Sequence, residues 1–246
     1  MPKISDSIVS WVRKQVNLAG AKGIVVGLSG GLDSSVVAVL SKKAFPDNVL
    51  ALILPCKSSP QDVSDAKMVA EKYGIETRQI DIEPVFEALF RQLEDRDTQM
   101  NLAVANLKPR LRMIALYYYA NKLNYLVAGT GNKSELMMGY FTKYGDGGVD
   151  ILPLGGLYKS EVAVLARELD IPKEIIEKVP SAGLWPGQTD EGEMGITYAE
   201  LEKVLSGLEK KELAGLDAKL VELVSKRVTA TEHKRKLPEI YEGGET

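Results

Sequence analysis

The run Gly27-Leu28-Ser29-Gly30-Gly31-Leu32-Asp33-Ser34-Ser35 constrains the fold more than any other part of the chain. The apolar, β-branched stretch before it, Ile24-Val25-Val26, reads as a buried strand. Ser35-Val36-Val37-Ala38-Val39-Leu40 after it reads as a helix. Strand, glycine turn and helix together gather free backbone N–H groups and the positive end of a helix at one point, which makes a seat for phosphate. Glycine lets the backbone approach that anion closely. Ser29, Ser34 and Ser35 add hydroxyl donors. Asp33 would repel phosphate, and it makes sense there if it holds a divalent cation that bridges to the phosphates. The plainer alternative is an ordinary glycine turn capped by serine and aspartate. The chain has no Gly-x-x-x-x-Gly-Lys-[Ser/Thr], and the loop is not Gly-x-Gly-x-x-Gly, so neither a Walker-A loop nor a dinucleotide turn stands here.

Apolar strands and amphipathic helices alternate through the following residues. Ile4, Ile8, Trp11, Val12 and Val16 share one face of a first helix. Val49–Leu54 reads as a second strand, and Glu76–Asp81 as a third. A helix carries Ala66, Val69, Ala70 and Tyr73 on one face and ends at Gly74. Val85–Leu93 and about Asn106–Leu123 read as helices, and Tyr125–Ala128 as the fourth strand. The expected fold is α/β: a doubly wound, Rossmann-like parallel sheet flanked by helices, with a helical C-terminal portion. The core would span about 20–180 and the helical part about 190–240, within a single domain over 1–246. Ligands in such sheets sit at the carboxyl ends of the strands, where both Gly27–Ser34 and Gly129–Glu135 fall.

Several later segments bear on chemistry. Gly129-Thr130-Gly131-Asn132-Lys133-Ser134-Glu135 follows a strand and opens a helix, but Ser134 replaces the last glycine of a dinucleotide fingerprint. Glu135 reads either as a second carboxylate for a metal held with Asp33 or as an acid placed in a first helical turn by the dipole. Arg110 and Arg112 enter a helix just after Pro109, as forks for phosphate or carboxylate or as solvated charges. Lys143–Asp150 is glycine-rich and charged and reads as a mobile loop. Pro180–Glu191 is too rich in mixed side chains for a plain connector. Helices are expected at about Lys159–Leu169, Lys173–Val179, Tyr198–Ser206 and Ala218–Thr229, and a loose tail at Glu242–Thr246. The one histidine, His233, lies in the basic run Glu232-His233-Lys234-Arg235-Lys236, which on its own reads as a solvated helix end as readily as a site.

The Ser29-Gly30-Gly31-x-Asp33-Ser34 pattern resembles the pyrophosphate loop of ATP pyrophosphatases, enzymes that cleave ATP between its α and β phosphates. With Asn106-x-x-x-Arg110-x-Arg112-Met113, Gly129–Glu135, Phe141–Gly148, Pro153–Lys159, Pro180–Glu191 and Glu232–Arg235 in that order, the chain resembles the ammonia-dependent NAD synthetases. That resemblance implies ATP held by Gly27, Leu28, Ser29, Gly30, Gly31, Leu32, Asp33 and Ser34, with Thr130, Lys159 and Ser181. It implies magnesium on Asp33 and Glu135. It implies nicotinic acid adenine dinucleotide (deamido-NAD) on Arg110, Lys143, Asp150, His233 and Lys234. Lys159 would stabilise charge on phosphate, and Asp146 is assigned, as a hypothesis, the binding and deprotonation of ammonium. The expected partners are ATP, deamido-NAD, ammonia and a second copy of the chain, as a homodimer.

Other classes are disfavoured. A net charge of −3 gives no general attraction to nucleic acid. A single cysteine, Cys56, excludes an internal disulfide and a cysteine metal cluster. No run is long and apolar enough for a membrane span, no signal peptide is visible, and the expected compartment is the cytoplasm. No glutaminase domain with its own catalytic cysteine is expected, so free ammonia is the predicted donor. Three rivals stand beside this reading: a related enzyme that adenylates another acceptor, a non-catalytic nucleotide module, and a Rossmann oxidoreductase.

Overall fold

The structure, a computed structural model, describes residues 3–93, 101–185, 187–241 and 243. Its centre is one sheet of β1 (Ile24–Gly27), β2 (Val49–Ile53), β3 (Glu76–Gln79) and β4 (Leu126–Ala128). The strands lie in the order β3-β2-β1-β4, and every pair is parallel. Ile24 stands opposite Val49 on one side and Leu126 on the other. A single bridge, Ala128 to Ile151, extends the sheet beyond β4.

The helices in chain order are α1 (Ile4–Leu18), α2 (Leu32–Ala44), α3 (Pro60–Tyr73), α4 (Glu83–Gln92), α5 (Leu102–Ala105), α6 (Leu107–Leu123) and α7 (Lys133–Met138). They continue as α8 (Lys159–Glu168), α9 (Lys173–Ile176), α10 (Asp190–Met194), α11 (Tyr198–Lys210) and α12 (Ala218–Ala230), and a 3-10 turn covers Glu232–Lys234. Successive strand residues point to opposite faces. Ile24, Val26, Ala51 and Ile53 therefore pack under α1, α2, α3, α8 and α9, while Val25, Leu50, Leu52 and Val127 pack under α4, α5 and α6. A parallel sheet covered on both faces reads as unbroken apolar runs, which is what β1 and β2 show. A third cluster of Met138, Met194, Leu201, Val204, Leu205 and Val224 joins α7, α10, α11 and α12 into the helical C-terminal part.

The layout agrees with the sequence reading, with local differences. The buried stripe of α1 is Ser5, Val9, Val12 and Val16, whereas Ile4 and Trp11 are exposed. The inward stripe is thus rotated from the expected face. Ser5 can face inward because its hydroxyl donates to Glu168 on α8. β3 stops at Gln79 and is exposed throughout, a short charged edge that resists pairing with another sheet. α9 is a single turn rather than a helix to Val179, and α10 was not foreseen. The expected loose tail lies, apart from Gly243, outside the described residues.

Between β1 and β4 the chain reverses the direction in which strands are added. In open α/β sheets the crevice at the carboxyl ends of such strands binds ligand. The loops that leave β1 and β4 are Leu28–Gly31 and Gly129–Asn132, and they frame that crevice.

Candidate functional site

The loop after β1 is built to present donors. α2 starts immediately, with Gly31 as its N-cap. The N–H groups of Gly30, Leu32 and Asp33 have no protein acceptor among the described residues, as expected of an anion seat at a helix N-terminus. The serines serve mainly to shape the loop. Ser34 and Ser35 hydroxyls donate to the Gly31 carbonyl at 3.0 and 2.7 Å, and Ser29 Oγ accepts the Gly31 N–H at 3.2 Å. Leu28 is buried, and its N–H belongs to the sheet through Leu52 O. It therefore offers a ligand only its carbonyl.

The loop after β4 brings the second half. Asn132 caps α7 in a reciprocal box: its side chain accepts the Glu135 N–H at 3.0 Å, and Glu135 Oε2 accepts the Asn132 N–H at 3.1 Å. Asn132 is wholly buried and its amide donates at 3.0 Å to Asp33 Oδ1, tying the two loops together. Lys159, the first residue of α8, places its ammonium between the two carboxylates. It ion-pairs with Asp33 and stands 3.4 Å from Glu135 Oε1. All three side chains are at most 16 % exposed. Tyr198 at the start of α11 donates to Asp190 Oδ2 at 2.8 Å, lies 3.4 Å from Glu135 Oε1 and sets its ring under the Lys159 ammonium.

The electrostatics of this group carry an excess of negative charge. Burial first, then the charge of Asp33, push Glu135 up to about 8. Against the cost of burial, Asp33 and Glu135 hold Lys159 well above the ordinary lysine range. Asp190 is raised by burial, and its Oδ1 is buried without a partner among the described residues. Hard carboxylate oxygens that share too little positive charge suit magnesium. Among the described residues no three acids meet in a metal-binding cluster. Two protein carboxylates with the remaining positions left to phosphate and water is an ordinary arrangement for that ion.

The residues expected around a dinucleotide divide into two places. Arg110 Nη2 donates to the Lys143 carbonyl at 3.4 Å, and Lys143 Nζ donates to the His233 carbonyl at 2.6 Å. Lys234 Nζ donates to the carbonyls of Gly139 and Phe141 at 2.7 and 2.8 Å. Arg110, Lys143, His233 and Lys234 therefore gather about the Phe141–Gly145 turns. Asp150 sits instead at the edge of β4, where it accepts from the Val127 N–H at 2.7 Å and the Tyr117 hydroxyl at 2.9 Å. The segment read as a mobile loop forms consecutive tight turns, with Gly145 and Gly147 both donating to Thr142 O. Asp146 is solvent-exposed within them and accepts the Thr142 N–H at 2.9 Å. Thr130 is half-buried beside the β4 loop, and Ser181 is exposed on the long loop, its Oγ accepting from Gly183 N–H at 3.1 Å. The sequence reading passed over Asn132, Asp190 and Tyr198. Only Asn132 carried a local signal, the Asn-x-x-Glu spacing of a capping box.

Known proteins resemble this chain in sequence and fold. The NAD synthase family model matches residues 4–238. The NH3-dependent NAD+ synthetase of Carboxydothermus hydrogenoformans is 48 % identical over 238 residues, 96 % of each chain. A structure of NMN synthetase from Francisella tularensis superposes with a TM-score of 0.90 at 42 % identity and covers 98 % of both chains. The NH3-dependent NAD synthetase of Campylobacter jejuni superposes with a TM-score of 0.84 at 32 % identity, over 97 % of this chain and 98 % of that one. With the glycine loop, the facing carboxylates and a match along almost its whole length, the chain belongs to the NAD synthase family.

Proposed function

We infer that this chain is an ammonia-dependent NAD synthetase, which converts deamido-NAD, ATP and ammonia into NAD, AMP and pyrophosphate. The observation that carries the reading is the meeting of Asp33, Glu135 and Lys159 beside the glycine loop at the β1–β4 crevice. A nicotinate carboxylate oxygen attacks the α-phosphorus, the bond to pyrophosphate breaks, and an acyl adenylate remains. Ammonia then attacks the acyl carbon, AMP leaves, and a proton is lost from nitrogen. The free N–H groups of the β1 loop bind the phosphates, with Thr130 and Ser181 completing the ATP site. Lys159 stabilises the charge that grows on phosphate oxygens in the first step. Magnesium, held by Asp33 and Glu135, would supply Lewis-acid stabilisation of the same charge. Asp146 is the group assigned to ammonium and its proton. Arg110, Lys143, His233 and Lys234 form one binding region for the dinucleotide, with Asp150 apart from them on β4.

A homodimer fits the exposed side of α6, where Ile114 and Tyr118 are 60 % and 59 % exposed. Two large apolar groups one turn apart on a helix are a natural contact for a second copy. Among the described residues no helix is long and apolar enough to cross a membrane.

A second reading, with nicotinic acid mononucleotide as the acceptor, is favoured by the likeness to the structure of an NMN synthetase from Francisella tularensis. The test is a product analysis of the purified protein with ATP, magnesium, ammonium and each acceptor in turn. NAD and AMP formed together, only with ammonium, support the first reading. Amidation of the mononucleotide alone moves the acceptor. ADP, or no consumption of ATP beside an active control, overturns the chemistry.

A further inference from the structure

Lys178 lies between α9 and the long loop that begins at Pro180, far in sequence from the glycine loop, yet it reaches it. Its ammonium donates to Asp65 Oδ2 at 2.6 Å, to Asp62 Oδ1 at 2.7 Å and to the Gly30 carbonyl at 3.4 Å. An ammonium has three donors, and these contacts use all of them. The Asp65 side chain is 6 % exposed and also accepts from Gln61 Nε2 at 2.7 Å, so the pair is a structured ion pair and not a loose surface contact. The loop itself allows this approach only because residue 30 is glycine. Its φ is +79°, and a Cβ there would lie 2.2 Å from the Asp62 carbonyl oxygen. The first turn of α3, the glycine loop and the base of the long loop thus meet at one cation. Ser181 stands three residues beyond it.

We propose that Lys178 is a positioning residue for ATP: it fixes the Gly30 peptide and docks the Ser181 loop onto Gly27–Ser34, so that the two parts of the nucleotide site keep one spacing. This rests on the ATP reading of that loop. The lysine acts through the loop, because its three donors already face two carboxylates and a carbonyl. Its removal has two consequences of the same sign. The Gly30 peptide loses its tether, and Asp62 and Asp65 are left as uncompensated anions next to a seat for triphosphate.

The experiment is calorimetric titration of ATP with magnesium, without acceptor, into the whole protein, with a thermal melt of each variant. Lys178→Met is expected to weaken ATP binding by about tenfold or more, the scale of one lost charge-assisted contact. Lys178→Arg, which keeps the charge, is expected to restore most of the affinity and serves if Lys178→Met does not fold. Asp65→Asn is expected to weaken binding in the same direction. Asp65→Asn added to Lys178→Met is expected to bind at least as well as Lys178→Met alone, because one repelling charge is gone. Tighter ATP binding by Asp65→Asn would mean that a released lysine binds phosphate directly, and would overturn the positioning role. Unchanged affinity in Lys178→Met with a lowered melting temperature would reduce the lysine to a structural pair and overturn the inference. A folded wild-type protein that does not bind ATP would overturn the nucleotide reading and the inference with it.

Discussion

Glu135 serves two purposes with one carboxylate. Oε2 closes the cap of α7, and Oε1 faces Lys159 and Tyr198. Of the two readings open in the sequence, the helix-start acid is seen in the cap, and the same carboxylate also faces the residues proposed as the site. Raised to about 8 by burial and by Asp33, it keeps its proton in the folded, metal-free protein at pH values where the unfolded chain, with an ordinary value of 4.5, has lost it. The folded state then binds more protons, so this group's contribution to stability falls as pH rises from 4.5 to about 8. Glu135→Gln is expected to melt no lower than wild type near pH 8 without metal, and to lose at least ~100-fold in AMP formation, a usual scale for a group that organises transition-state charge. A variant that melts lower and stays active would contradict both roles of the buried charge. Asp146 makes a different case. It accepts the Thr142 N–H at 2.9 Å, a bond that an asparagine side-chain oxygen can also accept. Asp146→Asn should therefore keep the turn, raise the KM for ammonium, and leave acceptor-dependent pyrophosphate release in place. Equal loss in both steps would remove Asp146 from the ammonia step.

At the scale of elements, the site depends on how short helices begin. α7 has six residues and gains little from its own backbone bonding. Its cap is correspondingly important, and the cap residue also reaches Asp33. Asn132→Ala should cost ~1–2 kcal/mol through the lost cap alone, read as a lower melting temperature. It should also weaken magnesium-dependent ATP binding, because Asp33 loses the amide that orients it. If stability falls and ATP binding does not, the Asn132–Asp33 contact has no part in the site. α6 shows a start that the sequence left in doubt. Pro109 is its third residue, where no intrahelical N–H is needed, so proline fits inside the first turn instead of delaying it. Arg110 then points outward to Lys143, and Arg112 turns to the sheet, where Nε donates to Leu54 O at 3.1 Å. Two arginines two residues apart cannot face one ligand on one helix, which is a point of geometry rather than composition.

For the whole molecule, the strand order decides where everything else can act. The switch from β2 to β4 on either side of β1 opens one crevice, and the loops carrying Asp33 and Glu135 both end there. α6 packs its apolar residues on the sheet and also exposes Ile114 and Tyr118, and that exposed pair sets the expectation for assembly. Replacing Ile114 and Tyr118 together by aspartate should shift the particle from twice the chain mass to once, measured by light scattering during gel filtration. A wild-type protein already at single mass would place the dimer reading elsewhere or remove it. The sequence by itself determined the β1–loop–α2 unit, the order through β4 of the strands and of every helix but α5, and the residue types of the glycine loop. Those follow from local rules: apolar runs, glycine at tight turns, and donors at helix starts. It also supplied the pairing of Asp33 with Glu135, through resemblance to a family. Only the tertiary structure decided that Lys159 sits between them, that Asn132 joins them, that Tyr198, bonded to Asp190, reaches Glu135 from the C-terminal helices, and that Lys178 reaches Gly30. The contacts of Lys159 with Glu135 and Asp33, of Asn132 with Asp33, of Tyr198 with Glu135 and of Lys178 with Gly30 join residues from 24 to 148 positions apart. No local pattern in a chain encodes which distant side chain will arrive; that is fixed by the parallel register and by two covered faces, which leave ligand the carboxyl ends of the strands.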